Sequence, residues 1–212
     1  MKIKTLTFSV LTLLALTATP SLAQKLDEFG DTKSSASGVN MQNLPVINNA
    51  DWRTGKANVP WSTPILVRDD FDGDYLAVLD RNYTINANNE ESGIITNWSR
   101  RKLRIFSYDT VKKCGILVCT KTPVEGREAN KVAIKAGKAV FRLTGDNGNF
   151  EITDEIAMAL KTAPPGDTKI KVQFEESGVD IVNDIGKGTV EAWKSVYHDA
   201  GMSEKAPAKS TK

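Results

Sequence analysis

Apolar and polar positions are patterned most clearly between Val132 and Tyr197. Val132–Ile134 and Ala139–Leu143 flank Lys135–Lys138 and read as a hairpin. Gly145–Asn149 is a turn, and Phe150–Ile152 a short strand. Thr153 is a helix N-cap, with Asp154 and Glu155 placed at the positive end of the helix dipole. Ile156, Ala159, Leu160 and Ala163 recur at three-and-four spacing, and Pro164-Pro165-Gly166 ends the helix. Ile170, Val172 and Phe174 alternate with Lys169, Lys171 and Gln173, which predicts a strand with one buried face. Val179–Ile185 returns as another strand. Thr189 is placed to cap a second helix, with Val190, Trp193 and Tyr197 on one stripe.

Upstream, Asp72-Gly73 between Pro64–Val67 and Leu76–Leu79 is a hairpin signal, because both turn residues tolerate positive φ. Ile94-Ile95, Leu103–Tyr108 and Gly115–Thr120 read as further strands. The predicted fold is α+β: antiparallel β-sheet with two short helices in the C-terminal third.

The ends differ in character. Residues 1–23 carry Lys2 and Lys4, an apolar run from Leu6 to Ala18, then Ser21-Leu22-Ala23. That pattern predicts a signal peptide cleaved after Ala23 and a secreted or periplasmic location. Residues 24–50 are polar and read as a disordered tether, 51–200 as a single domain, and 201–212 as a disordered tail. No later run is apolar enough to be an integral membrane segment.

Charge then changes the picture. Of 28 Lys+Arg, processing removes Lys2 and Lys4, leaving 26 against 26 Asp+Glu. A neutral mature chain has little field to gather phosphates, so nucleic acid is not an expected partner.

Cys114 and Cys119 are the two cysteines. If Gly115–Val118 is extended, the sulfurs stand roughly 16 Å apart, beyond the Cα limit of about 7 Å for a bridge. Either the chain turns back there and the cysteines pair, or it runs on as a strand and they stay free. Export favours pairing and Ile-Leu-Val favours the strand.

Candidate chemistry is sparse. Asp70, Asp72 and Asp74 alternate like the start of a calcium loop and are candidate Ca²⁺ ligands. The loop fails at its sixth and twelfth positions, where Tyr75 and Arg81 stand. Trp98, followed by Arg100 and Arg101, is a candidate ligand-binding surface for a sugar or polyanion. Gly186-Lys187-Gly188-Thr189, before a helix, could hold an anion on backbone amides. One histidine, His198, leaves little scope for a Ser-His-Asp mechanism.

No catalytic constellation or cofactor loop emerges. The expected function is a non-enzymatic, exported envelope or extracellular binding or structural protein, its partner an envelope component or polysaccharide. A secreted carbohydrate-active hydrolase using an Asp/Glu pair is the alternative, and a Ca²⁺-stabilised module a further one.

Overall fold

The computed structural model describes residues 41–54, 58–88, 90–115, 119–174 and 180–201. The expected signal peptide, most of the expected tether and the expected tail from residue 202 lie outside the described residues. The fold is α+β, with mostly antiparallel sheets and two helices.

The first sheet has the order β1 (Val46–Asn48), β2 (Pro64–Arg68), β3 (Tyr75–Ile85), β4 (Glu91–Ser99), β5 (Lys102–Cys114), β6 (Cys119–Glu125). From β2 to β6 it is an antiparallel meander, each strand pairing with the next in sequence. The edge of β5 is shared: β6 pairs with Tyr108–Cys114, and the short β9 (Asn149–Glu151) pairs with Lys102–Arg104. The second sheet has the order β11 (Asp180–Asp184), β10 (Thr168–Phe174), β7 (Ala129–Ala136), β8 (Ala139–Thr144). Helices α1 (Asp154–Lys161) and α2 (Lys187–Val196) complete the fold.

Two expectations at the ends of strands are corrected. Residues 41–50 are not a tether: Met41–Asn43 forms a 3-10 turn, and β1 pairs in parallel with β2, Val46 opposite Leu66. The folded region therefore begins upstream of Asp51. Gly115–Thr120 does not run as one strand: β5 ends at Cys114 and β6 begins at Cys119, antiparallel to it. Cys114 and Cys119 become direct cross-strand partners, 4.0 Å apart at Cα, and form a disulfide.

The first sheet is covered on both faces because successive side chains of a strand point to opposite sides. Tyr75, Ala77 and Leu79 of β3 pack with Trp52, Val59, Ile65 and Val67 under the N-terminal segment. Val78, on the opposite face, joins Trp98, Leu103, Ile134, Val172, Leu160 and Trp193 in the larger core. That core links the first sheet to the second sheet and to both helices. Each buried aliphatic side chain contributes about 1.5–3 kcal/mol relative to exposure.

The sequence punctuation works as expected at α1: the Thr153 hydroxyl accepts from the Ile156 amide, and Pro164 follows the end. It fails at α2. Gly186 is the N-cap, and Thr189 sits one turn in, fully buried. Gly148, at φ +72°, is required by proximity: a Cβ there would lie 2.2 Å from the Ile105 carbonyl oxygen.

Candidate functional site

The sequence-predicted site residues are dispersed. Trp98 is not a surface platform. It is fully buried, edge-on to Trp193 with centroids 4.8 Å apart, and its indole N–H donates to Thr96 Oγ1 at 2.8 Å. Its apolar neighbours on both helices outweigh the basic run that follows it in sequence. Arg100 is an internal tie: Nη2 reaches Asp154 Oδ1 at 2.6 Å and Nε reaches Asp199 Oδ1 at 3.0 Å. Arg101 stays exposed, 3.8 Å from the same Asp154. The Arg100 guanidinium holds the Asp154 carboxyl below the usual range.

Asp70, Asp72 and Asp74 lie in the turn between β2 and β3. Among the described residues no three His, Cys, Asp or Glu side chains gather around a common point. The turn is held by Asp69 instead, whose Oδ1 accepts from the amides of Phe71 and Asp72. Asp74 lies 3.9 Å from Arg68.

Two constellations that sequence reasoning missed lie on opposite faces of β3. The first surrounds Asp80, buried at the amino end of α2. Thr189 Oγ1 donates to Asp80 Oδ1 at 2.8 Å, Asn82 Nδ2 donates to Oδ2 at 2.9 Å, and Ser62 Oγ approaches Oδ1 at 3.4 Å. Burial raises the Asp80 pKa above the usual aspartate value, while the Thr189, Asn82 and Ser62 hydrogen bonds oppose the rise. Ser62 has φ +56°, an uncommon conformation for a residue with a Cβ. Gly188 allows the helix to touch it, since a Cβ at 188 would stand 3.0 Å from Ser62 Cβ. Gly186 lets the start of the helix lie close to that carboxyl, since a Cβ there would stand 3.3 Å from Asp80 Oδ1.

The second constellation is aromatic. The Arg81 guanidinium lies over Tyr83, Tyr108 and Trp61 at 4.9, 5.6 and 5.8 Å. Its Nε donates to the Tyr108 hydroxyl at 2.8 Å, and Nη2 pairs with Glu91, which also accepts from Tyr108. Burial pushes the Tyr108 phenol up to about 12, with the Glu91 hydrogen bond acting in the same direction. Gly93 makes room for that ring, because a Cβ there would be 2.7 Å from the Tyr108 oxygen.

Between the two sheets, where β3, β4 and β5 meet β10 and β11, lies a cleft of about 180 Å³. Its apolar floor includes Ile94, Phe174 and Ile181. Asn82, Ser92 and Asp109 line it from the first sheet, and Arg127 and Asn183 from the other side. Ser107 Oγ donates to the Arg127 carbonyl at 2.6 Å and fixes that loop. The Arg127 guanidinium rests 4.8 Å over the Phe174 ring. Asn82 is oriented by Asp80, so the buried carboxylate and the cleft are mechanically linked.

Sequence reasoning carried no signal for this site: Asn82 and Ser92 fell outside the strands read from the sequence, and the facing β11 partner could not be read from spacing. No helix among the described residues is long and apolar enough to cross a membrane. Comparison of the chain with protein-family models, with curated proteins and with solved structures finds no match.

Proposed function

We propose that the protein is an exported, non-catalytic binding protein whose ligand seat is the cleft between the two sheets. The carrying observation is the composition of that cleft: amides, several hydroxyls, one carboxylate and one guanidinium around an apolar floor, among the described residues. Convergent polar groups on an apolar base suit recognition of a ligand with several hydroxyls. At about 180 Å³ the seat takes one sugar unit of a polysaccharide rather than a drug-sized molecule, for which pockets run from about 300 Å³ upward.

The reading of binding over glycoside hydrolysis rests on Asp109 being the single carboxylate among the described residues that line the cleft. Acid-base cleavage of a glycosidic bond uses two carboxyl groups, roughly 5–9.5 Å apart. Export is supported by the signal-like N-terminus and by the Cys114–Cys119 disulfide, a bond that persists in oxidising compartments.

Calorimetric titration of the mature protein with soluble envelope polysaccharide fragments tests the reading. Saturable binding, weakened about tenfold or more in Asn183→Ala and Asn82→Ala, is the expected result. Binding that both substitutions leave intact would remove the cleft from consideration. An absence of binding to all such fragments would remove the ligand class.

A further inference from the structure

Strand β3 runs from Tyr75 to Ile85, but its two neighbours cover it unequally. Strand β4 pairs with it from Ala77 to Ile85. Strand β2 reaches only from Tyr75 to Val78. One more backbone contact follows on the β2 side, where the Ser62 amide donates to the Leu79 carbonyl at 2.7 Å. Backbone groups of a strand alternate in direction. The outward carbonyl of Leu79 therefore means that Arg81, Tyr83 and Ile85 also turn their N–H and C=O groups away from β4. Those groups have no backbone partner among the described residues.

An open strand edge is normally guarded by lysine, proline, a bulge or a covering element. Among the described residues, none of these guards the edge along 80–85. Its one cation, Arg81, is drawn in against Glu91 and Tyr108. Tyr83 and Ile85 stand on the same face of the strand and are 53% and 56% exposed. The open stretch is rich in residues that favour strands and pairing.

We propose that this edge is a strand-addition surface filled by a second copy of the same chain, joining two first sheets antiparallel around a two-fold axis at Tyr83. Self-complementarity selects the occupant. With only alternate residues facing outward, Tyr83 pairs with Tyr83 of the partner subunit, and Arg81 with Ile85 of the partner subunit. That register uses every outward donor and acceptor of the open stretch. A shift by two residues strands one end unpaired. It also sets no like charges opposite one another and brings aromatic against aromatic, a favourable cross-strand pair. A closed isologous contact of this kind ends at the dimer. On the opposite face Asn82 meets Thr84 of the partner subunit, so the polar lining of the cleft continues across the axis. The pairing does not depend on what the cleft binds.

Sedimentation velocity of the mature protein over a concentration series, with hydrogen exchange resolved to single amides, tests the proposal. A dimer that dissociates on dilution is expected, and the Arg81, Tyr83 and Ile85 amides should gain protection as concentration rises. Tyr83→Pro deletes an outward N–H that β4 does not use, and should weaken dimerisation at least tenfold. Tyr83→Lys sets two ammonium groups opposite each other and should do the same without altering the backbone. Val182→Lys, on the exposed edge strand β11 of the second sheet, should leave the dimer unchanged. A monomer at every concentration overturns the proposal, whether those amides exchange quickly or are protected independently of concentration. In the latter case the chain's own residues cover the edge. A dimer indifferent to both Tyr83 variants, or equally weakened by Val182→Lys, also overturns it.

Discussion

Thr189 Oγ1 donates a hydrogen bond to Asp80 Oδ1 at 2.8 Å, across 109 residues of sequence, and both side chains are buried. The bond fastens the first turn of α2 to the middle of β3. Removing the donor leaves a buried carboxylate short of its closest partner, which costs about 1–3 kcal/mol. Thr189→Val is accordingly expected to lower stability by that amount in urea unfolding. The loss should shrink in an Asp80→Asn background, because the carboxylate being stranded is then absent. Equal losses in both backgrounds would show that the two residues act independently.

The same carboxylate gives stability a pH dependence of definite sign. Burial raises the folded-state pKa of Asp80 above the ordinary aspartate value of 3.8. The native state then binds the proton more tightly than the unfolded chain, so the Asp80 contribution to stability falls as pH rises from 3.8 through the folded value. Below that window the two states are protonated alike. Asp80→Asn, which cannot ionise, is expected to show a melting temperature that gains on the wild type between acid and neutral pH. A difference that stays constant with pH would contradict the raised pKa.

Arg100 carries a stability role rather than a ligand role. It joins the start of α1 to the segment after α2 through Asp154 and Asp199. Its side chain is 11% exposed, against 63% for Asp154, so solvent screens that partner and the bond to Asp199 is the stronger one. Arg100→Ala is expected to cost on the order of 2 kcal/mol. Arg101→Ala, whose side chain is well exposed, should cost under about 0.5 kcal/mol. Chemical denaturation of the two variants separates them, and equal losses would refute the assignment.

These residues show what the sequence could and could not disclose. The hairpins at Asp72-Gly73 and Gly137, the cap at Thr153 and the alternation of β10 were legible because each is fixed by neighbours in sequence. Trp98 and Arg100 were misread for the opposite reason. Their surroundings come from α2 and from Asp199, about a hundred residues away, and local polarity said nothing of that packing. Cys114 and Cys119 posed a choice that local preference could not decide, since the pairing of β5 with β6 determines it. The cleft was invisible because its two walls belong to different sheets. Asp80 was one acid among 26, and only burial distinguishes it.

The disulfide closes a loop whose cysteines are five residues apart, at the far end of β5 and β6. Loop-closure entropy for so short a ring gives about 2 kcal/mol. Both cysteines are exposed, and neither belongs to either core. A Cys114→Ser, Cys119→Ser double variant is expected to lose at most about 2 kcal/mol, with hydrogen exchange rising at 108–125 and unchanged in β3, β4 and β10. Collapse of the whole fold on reduction would mean that the hairpin supports the core, contrary to this arrangement.

Tyr108 offers the sharpest spectroscopic test. Its phenol sits between Arg81 and Glu91 beneath the ring of aromatics, and its pKa is raised to about 12. Burial is the main cause, and the Glu91 hydrogen bond adds to it, since an acceptor that holds the phenolic proton opposes its loss. The folded state therefore retains this proton where an unfolded tyrosine, with its pKa near 10, gives it up. Stability from this group is complete below pH 10 and is lost as pH rises toward 12. Absorbance titration at alkaline pH should resolve a tyrosine component in the folded protein that ionises last. That component should vanish in Tyr108→Phe and move to lower pH in Glu91→Gln, where the anionic acceptor is gone. Retention of the late component in Tyr108→Phe would assign it to another tyrosine and break the link between this pKa and the Arg81 cluster.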